Sequence, residues 1–298
     1  MDYESSLAEI RELCLEHLGE RLGPQMAALA KRGVVLKPAT DEAPPTGRCQ
    51  ARGAALLEPG TPWPENRVGV PLSPVAVLDT DEFVPWLGDE LPSRLGLVNI
   101  FSVEPDPQYD GDPRYTETLE RYRKWGDRCD TDLDCQIILA DPECAVEVPA
   151  PPPASTFERR PLHAAPVITL PSVAGEMADP VLKTFDYRAE PEFDEDDWLP
   201  PRERFIQEPF REVWYDYCRS RQGFRNEEGW FRPDQAFGWP YIDSWLMEEK
   251  EEEYTHLLTL SGDVLWPYGD GFGRVMVPAS ALSTGEFANV AYETDGLH

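Results

Sequence analysis

The sequence predicts an internally duplicated α+β fold, with mostly antiparallel β-sheets and short helices arranged as two pseudo-repeat halves. Three observations predict it. Proline makes up 31 of the 298 residues, which limits long helices and favours short strands and ordered loops. Beyond residue 33 the apolar residues come in short runs bounded by Pro and Gly, the pattern of strands rather than of amphipathic helices. One succession of turn and strands also occurs twice along the chain.

The first succession runs Gly60-Thr-Pro-Trp63, then Val75-Ala-Val-Leu78-Asp-Thr-Asp81, then Leu95-Gly96-Leu-Val-Asn-Ile-Phe101. The second runs Gly238-Trp-Pro-Tyr241, then Leu257-Leu-Thr-Leu260-Ser-Gly-Asp263, then Phe272-Gly273-Arg-Val-Met-Val277. Each is a Gly/Pro/aromatic turn, a strand ending in acids and a glycine-led strand. The order is kept while the loops differ in length, as expected of a duplicated module.

Taken in order, residues 1–33 read as N-terminal helices. Ser6 and Glu9 fit a capping box, and Leu7, Ile10, Cys14 and Leu18 recur at helical spacing up to Gly19. Pro24 can open a second short helix that Gly33 closes. The first β-rich half is expected over 34–188, with strands at Val34–Leu36, Val75–Leu78, Leu97–Val103, Gln136–Leu139 and Val167–Leu170. Pro149–Ala154 reads as an extended surface connection. An acidic linker at 189–200 precedes the second half, 201–298, and the halves are expected to pack as one globular unit. In that second half a helix carries Phe210, Val213, Trp214 and Tyr217 on one face, and strands follow at Thr255–Leu260, Arg274–Val277 and Ala288–Tyr292.

The charge excludes several partners. Asp and Glu number 56 against 27 Lys and Arg, for a formal charge of −29. A phosphate backbone requires a basic footprint, and an anionic bilayer surface would repel this chain. No nucleic acid and no membrane are therefore expected. With no run of about 18 apolar residues and no basic–apolar leader at the start, the chain is expected in the cytoplasm. The acids crowd at Glu190–Asp197 and Glu248–Glu253, outside the repeated strands, so the charge is expected on surface loops.

The motifs resemble those of the YwqG-like family, bacterial proteins known chiefly as a domain of unknown function. The resemblance rests on Pro59-Gly-Thr-Pro-Trp-Pro64, Val70-Pro-Leu72, Leu78-Asp-Thr-Asp81, Leu91-Pro92, Gly96–Phe101, Pro161-Leu162 and Thr169-Leu-Pro-Ser172. Its most diagnostic part is C-terminal: Gly238-Trp-Pro, Leu257-Leu-Thr-Leu260-Ser-Gly-Asp263, Gly269-Asp-Gly-Phe-Gly273 and Glu286-Phe-Ala-Asn-Val290. It covers 33–294 and departs at Thr259-Leu260-Ser261, where the family carries Gln-Ile-Asp, and after Gly273, where an aromatic strand is usual. The resemblance implies an internally duplicated α+β fold and an association with toxin-rich gene neighbourhoods. It supplies no catalytic residue.

The search for chemistry is mostly negative. The six cysteines form no CxxC pair and the four histidines no HExxH, so no metal is expected and no cofactor is implied. Cys129, Cys135, Cys144 and His163 lack the tight spacing that presents two thiolates to zinc. Asp130, Asp132, Asp134 and Asp141 echo a calcium loop, but Cys135 stands where glycine must bend it. Gly269, Gly271 and Gly273 are spaced GxGxG with Asp270 among them and a strand after them, a turn rather than a phosphate cradle. No serine sits in a GxSxG elbow.

What remains is a candidate cleft between the halves, formed by Trp63, Asp79, Asp81, Trp239, Tyr241, Asp263, Trp266 and Asp270, with Trp245 nearby. Aromatics and carboxylates together suit a small cationic or sugar-like ligand. The plainer reading, which the sequence favours, makes these aromatics core residues and these acids turn caps. The expectation for function is a non-enzymatic interaction protein with an acidic surface for a basic protein partner, immunity- or antitoxin-like. The alternative is a small-molecule-binding protein or uncharacterised enzyme using the cleft.

Overall fold

The computed structural model describes residues 2–66, 68–91, 94–103, 113, 114, 116, 135–154, 157–171, 213, 217, 234–240, 254–262 and 272–295. The chain opens with α1 (Tyr3–Ala27), broken at Gly19, whose φ of 76° no helical residue adopts. The break makes a helical hairpin so close that a Cβ on Gly23 would stand 2.5 Å from the Cys14 carbonyl oxygen. The cap lies further forward than Ser6: Asp2 takes that role, its Oδ2 accepting the Ser5 N–H at 3.2 Å and the Ser5 hydroxyl at 2.9 Å. Gly33 closes no helix. It lies inside the first strand, because the second arm already ends at Ala27.

Twelve strands follow among the described residues. They are β1 (Lys31–Pro38), β2 (Gln50–Ala51), β3 (Ala55–Leu57), β4 (Ser73–Asp79), β5 (Leu97–Ser102), β6 (Cys135–Ala140), β7 (Val146–Val148) and β8 (Arg160–Thr169). The last four are β9 (Asp234–Ala236), β10 (Tyr254–Ser261), β11 (Phe272–Pro278) and β12 (Ala291–Asp295). Short helices α2 (Val84–Leu87) and α3 (Ala281–Thr284) fill connections. The expected apolar runs up to Val277 fall on strands, with Val103 and Leu170 just past the ends of β5 and β8, whereas of Ala288–Tyr292 only Ala291 and Tyr292 do, because β12 begins at Ala291. The unexpected strands, β2, β3, β7 and β9, are only two or three residues long, too short to display a period.

Ten of these strands form one sheet in the order β12-β11-β10-β9-β1-β8-β2-β4-β5-β6, while β3 and β7 pair separately. Every pairing is antiparallel. Strands on either side of residue 200 are therefore continuous through β1–β9. Val98 and Ile100 of β5 share one apolar cluster with Val275 of β11 and Tyr292 of β12. Strands near opposite ends of the sheet thus meet in one core, and the sheet curls towards closure, as the native twist of a long sheet favours.

Both faces are covered. β4 is buried along its whole length, because its inner face joins that shared core while Val77 packs under Leu56 of β3 on the other. The hairpin α1 lies over β1 and β8 through Ile10, Cys14, Leu22 and Met26 against Val35, Val167 and Ile168. Val213 and Tyr217 of the expected helix are helical and join this cluster fully buried, and Ile168 N–H donates to the Tyr217 hydroxyl at 3.1 Å. The Pro149–Ala154 connection turns rather than extends, with Ala154 N–H bonded to the Pro151 carbonyl. Residues 189–200 and 248–253 lie outside the described residues.

Candidate functional site

The described members of the expected cleft, Trp63, Asp79, Asp81 and Trp239, fall into separate places. Trp63 follows β3, donates from Nε1 to the Leu72 carbonyl at 2.9 Å and meets Phe101 edge-on at 5.3 Å. It belongs to the outer cluster of Ala55, Leu57, Leu72 and Val103. Trp239 packs instead with Met276 and Ala291. Its backbone N–H donates to Thr169 Oγ1 at 2.8 Å, its Nε1 donates to the Leu29 carbonyl at 2.6 Å, and Lys31 Nζ lies 3.6 Å from the ring centroid. Both indoles thus tie strands to loops. Asp79 ends β4 and accepts the Arg48 N–H at 3.0 Å, a turn-capping arrangement. Asp81 follows in the single turn Thr80–Glu82, and its Oδ1 is buried without a hydrogen-bond partner among the described residues. Tyr241, Trp245, Asp263, Trp266 and Asp270 lie outside the described residues.

The remaining chemical candidates are similarly occupied. Burial pushes the Cys14 and Cys49 thiols up to about 12, so neither is a thiolate near neutrality. Cys144 is exposed, and the Asp141 carboxylate beside it raises its thiol as well. Cys135 is buried on β6, and His163 holds the Pro44 carbonyl at 2.8 Å. Cys129, Asp130, Asp132, Asp134, Gly269 and Gly271 lie outside the described residues. Among the described residues no group of three His, Cys, Asp or Glu side chains is placed to hold a metal ion.

Sequence reading took His256 singly and missed the group around it. His256 lies fully buried on β10, with Nδ1 3.1 Å from the Phe237 carbonyl and Nε2 2.8 Å from Thr259 Oγ1. A carbonyl can only accept, so Nδ1 carries the proton and Nε2 accepts from the hydroxyl. Burial, helped by the Arg274 charge, holds the ring down to about 3. Arg274, itself 1% exposed, stands directly opposite Thr259 on β11. Asp234, on β9, accepts the Ser261 N–H. The sequence signal was a His, a Thr and an Arg inside otherwise apolar runs.

The first half has other residues at the positions bonded in the same way. Gln50 Nε2 donates to the Arg52 and Ala54 carbonyls at 2.9 and 2.8 Å, and Gln235 Nε2 donates to those of Phe237 and Trp239 at 2.9 and 2.7 Å. Arg52–Gly53 and Phe237–Gly238 both have positive φ. Arg52 N–H donates to the Val75 carbonyl and Phe237 N–H to that of Leu257. Val75 and Leu257 are the extra residues where the β4–β5 and β10–β11 registers slip. Asp79 N–H donates to Cys49 Sγ at 3.3 Å, as Ser261 N–H does to Asp234. Counted from these bonds, Cys49, Pro74, Val77 and Asn99 stand where the second half has Asp234, His256, Thr259 and Arg274. Asn99 grips Leu56 of β3 through both backbone groups at 2.8 Å, closing the outer face of the first half.

A family known as a domain of unknown function, DUF1963, matches residues 50–296. The chain belongs to that family. The DUF1963 region contains β2 to β12 and both polar groups just described, whereas α1 and β1 precede it. No curated protein matches the chain.

Proposed function

We propose that this chain is a non-enzymatic cytoplasmic interaction protein whose acidic surface receives a basic protein partner, in the manner of an immunity protein or antitoxin masking a basic nuclease. The observation that carries this reading is the placement of charge. Among the acids whose burial is described only Asp79 and Asp234 are buried, so the others in that set reach water, in a chain whose formal charge is −29. Such a surface steers a basic partner towards it and suppresses acidic ones. The engaged tryptophans, the high thiol values and the doubly bonded His256 agree with a protein that does no acid–base or nucleophilic chemistry at these groups. Affinity capture from the native cell followed by salt titration tests the proposal. A basic protein released as salt rises supports it, whereas no partner at low salt, or a partner indifferent to salt, overturns it.

A second reading has one observation in its favour. The small-molecule or enzyme alternative loses support at Trp63 and Trp239, but the buried Asp234, His256 and Thr259 are polar where the matching positions are Cys, Pro and Val, and Arg274 is charged where the match is the neutral amide Asn99. A thermal-shift screen of small molecules, repeated on Thr259→Val, tests that reading: a stabilisation lost with the hydroxyl supports it, and no stabilisation of the unaltered chain overturns it.

We infer as well that β2-β4-β5-β6 and β9-β10-β11-β12 are copies of one unit, as the YwqG-like resemblance implies. The recurrent glutamine bonds, positive-φ pairs and bulges support this inference more closely than the motifs do.

A further inference from the structure

We propose that the two copies have exchanged their first strands, so that the chain is a covalently joined, interlocked pair of units. The inference rests on the duplication just inferred and goes beyond it. β2 carries β8 on the edge away from β4, with Gln50 opposite Pro161 and Ala51 opposite Arg160. β9 carries β1 on the edge away from β10, with Gln235 opposite Val35 and Ala236 opposite Val34. Since Gln50 corresponds to Gln235, β8 holds the position in the first unit that β1 holds in the second. In chain order, however, β1 precedes the first unit and β8 precedes the second.

A tandem repeat of five strands therefore reads β1-β2-β4-β5-β6 followed by β8-β9-β10-β11-β12, and each leading strand lies on the opposite unit. β1 and β8 pair antiparallel with each other, as a twofold relation between the units requires, and its axis passes between Lys37 and His163. The sheet order β12-β11-β10-β9-β1 | β8-β2-β4-β5-β6 is the same read from either end. Exchange of an identical element between protomers is a low-cost route to dimers, and here both protomers lie in one chain. The DUF1963 match, which begins at residue 50, omits β1, the strand on which the second unit's β9 edge depends.

The experiment uses the full chain with a protease site placed in the Pro151–Ala154 turn, between β7 and β8. After cleavage each piece carries one unit's strands in sequence order but lacks the strand that completes its sheet edge. The expected result is a nicked 1:1 complex that co-elutes in native gel filtration and separates only on unfolding. Two pieces that separate into folded monomers without denaturant would overturn the exchange. A second measurement is hydrogen exchange on the nicked full chain. Protection is expected to persist at both 50–51 and 234–236 while the two pieces are together, and its loss at either on cleavage would overturn the proposal. Failure of the duplication reads differently: Gln50→Ala and Gln235→Ala would then have unlike effects on stability while the nicked pieces still hold together.

Discussion

At the scale of the residue, His256 is the most informative side chain. Its ring is held near 3 by burial, against about 6.5 for an unfolded histidine. The folded state therefore favours the neutral ring, and this contribution is complete above pH 6.5 and lost as pH falls towards 3. Urea unfolding followed from pH 7 to 4 is expected to show a His256 share of up to about 1.4 kcal/mol per pH unit, absent in His256→Gln. An acid limb of equal slope in both proteins would assign the loss to carboxylates. Gln50 and Gln235 each satisfy two carbonyls beside a positive-φ pair. Replacing either with Ala strands those acceptors and is expected to cost about 1–3 kcal/mol, with matching values, by denaturant titration. Asn99→Leu is expected to be comparably harmful, because both backbone groups of Leu56 lose their partner.

At the scale of the element, the helical hairpin depends on one glycine. Gly23→Ala places a methyl group against the Cys14 backbone, where the other arm cannot retreat without leaving β1 and β8. A loss of about 1–3 kcal/mol is expected, with helix α1 the first region to gain deuterium. The strands legible in sequence were those of five residues or more. β8 was read as Val167–Leu170 because Pro161 and Pro166 interrupt its pattern, yet it runs from Arg160. The two-residue β2 and three-residue β9 escaped notice, although they hold the glutamines that pin both bulges. The same shortness displaced part of the repeat we infer. On that inference the strands Val75–Leu78 and Leu257–Leu260 correspond as the motifs suggest. By their bonds, though, Gly53 and not Gly60 matches Gly238, and Val98 rather than Gly96 matches Gly273. Glycine-rich turns look alike in sequence, and only their hydrogen bonds tell them apart.

At the scale of the molecule, charge and topology act together. A chain at −29 repels itself in the compact state, and salt screens that repulsion over about 10 Å at 0.1 M. The melting temperature is expected to rise between about 0.02 and 0.3 M NaCl by differential scanning calorimetry, before any specific ion effect. A fall would mean that attractive pairs outweigh the repulsion. No helix among the described residues is long and apolar enough to cross a membrane, in keeping with the composition.

What the sequence determined by itself was local and compositional: the β-rich character, the N-terminal helices, the places of the longer strands and the net charge. These follow from side-chain period, from Pro and Gly geometry and from composition, which need no knowledge of neighbours. Tertiary structure decided the rest. Whether Trp63 and Trp239 face a ligand or a carbonyl, and whether His256 stands beside an arginine, depends on pairings between strands tens to hundreds of residues apart. So does the position of β1, which lies outside the family match at one end of the chain and yet at the centre of the sheet. Hydrogen bonds across a sheet carry no trace in the local period of either strand, and for that reason the order of strands was legible only once they were seen paired.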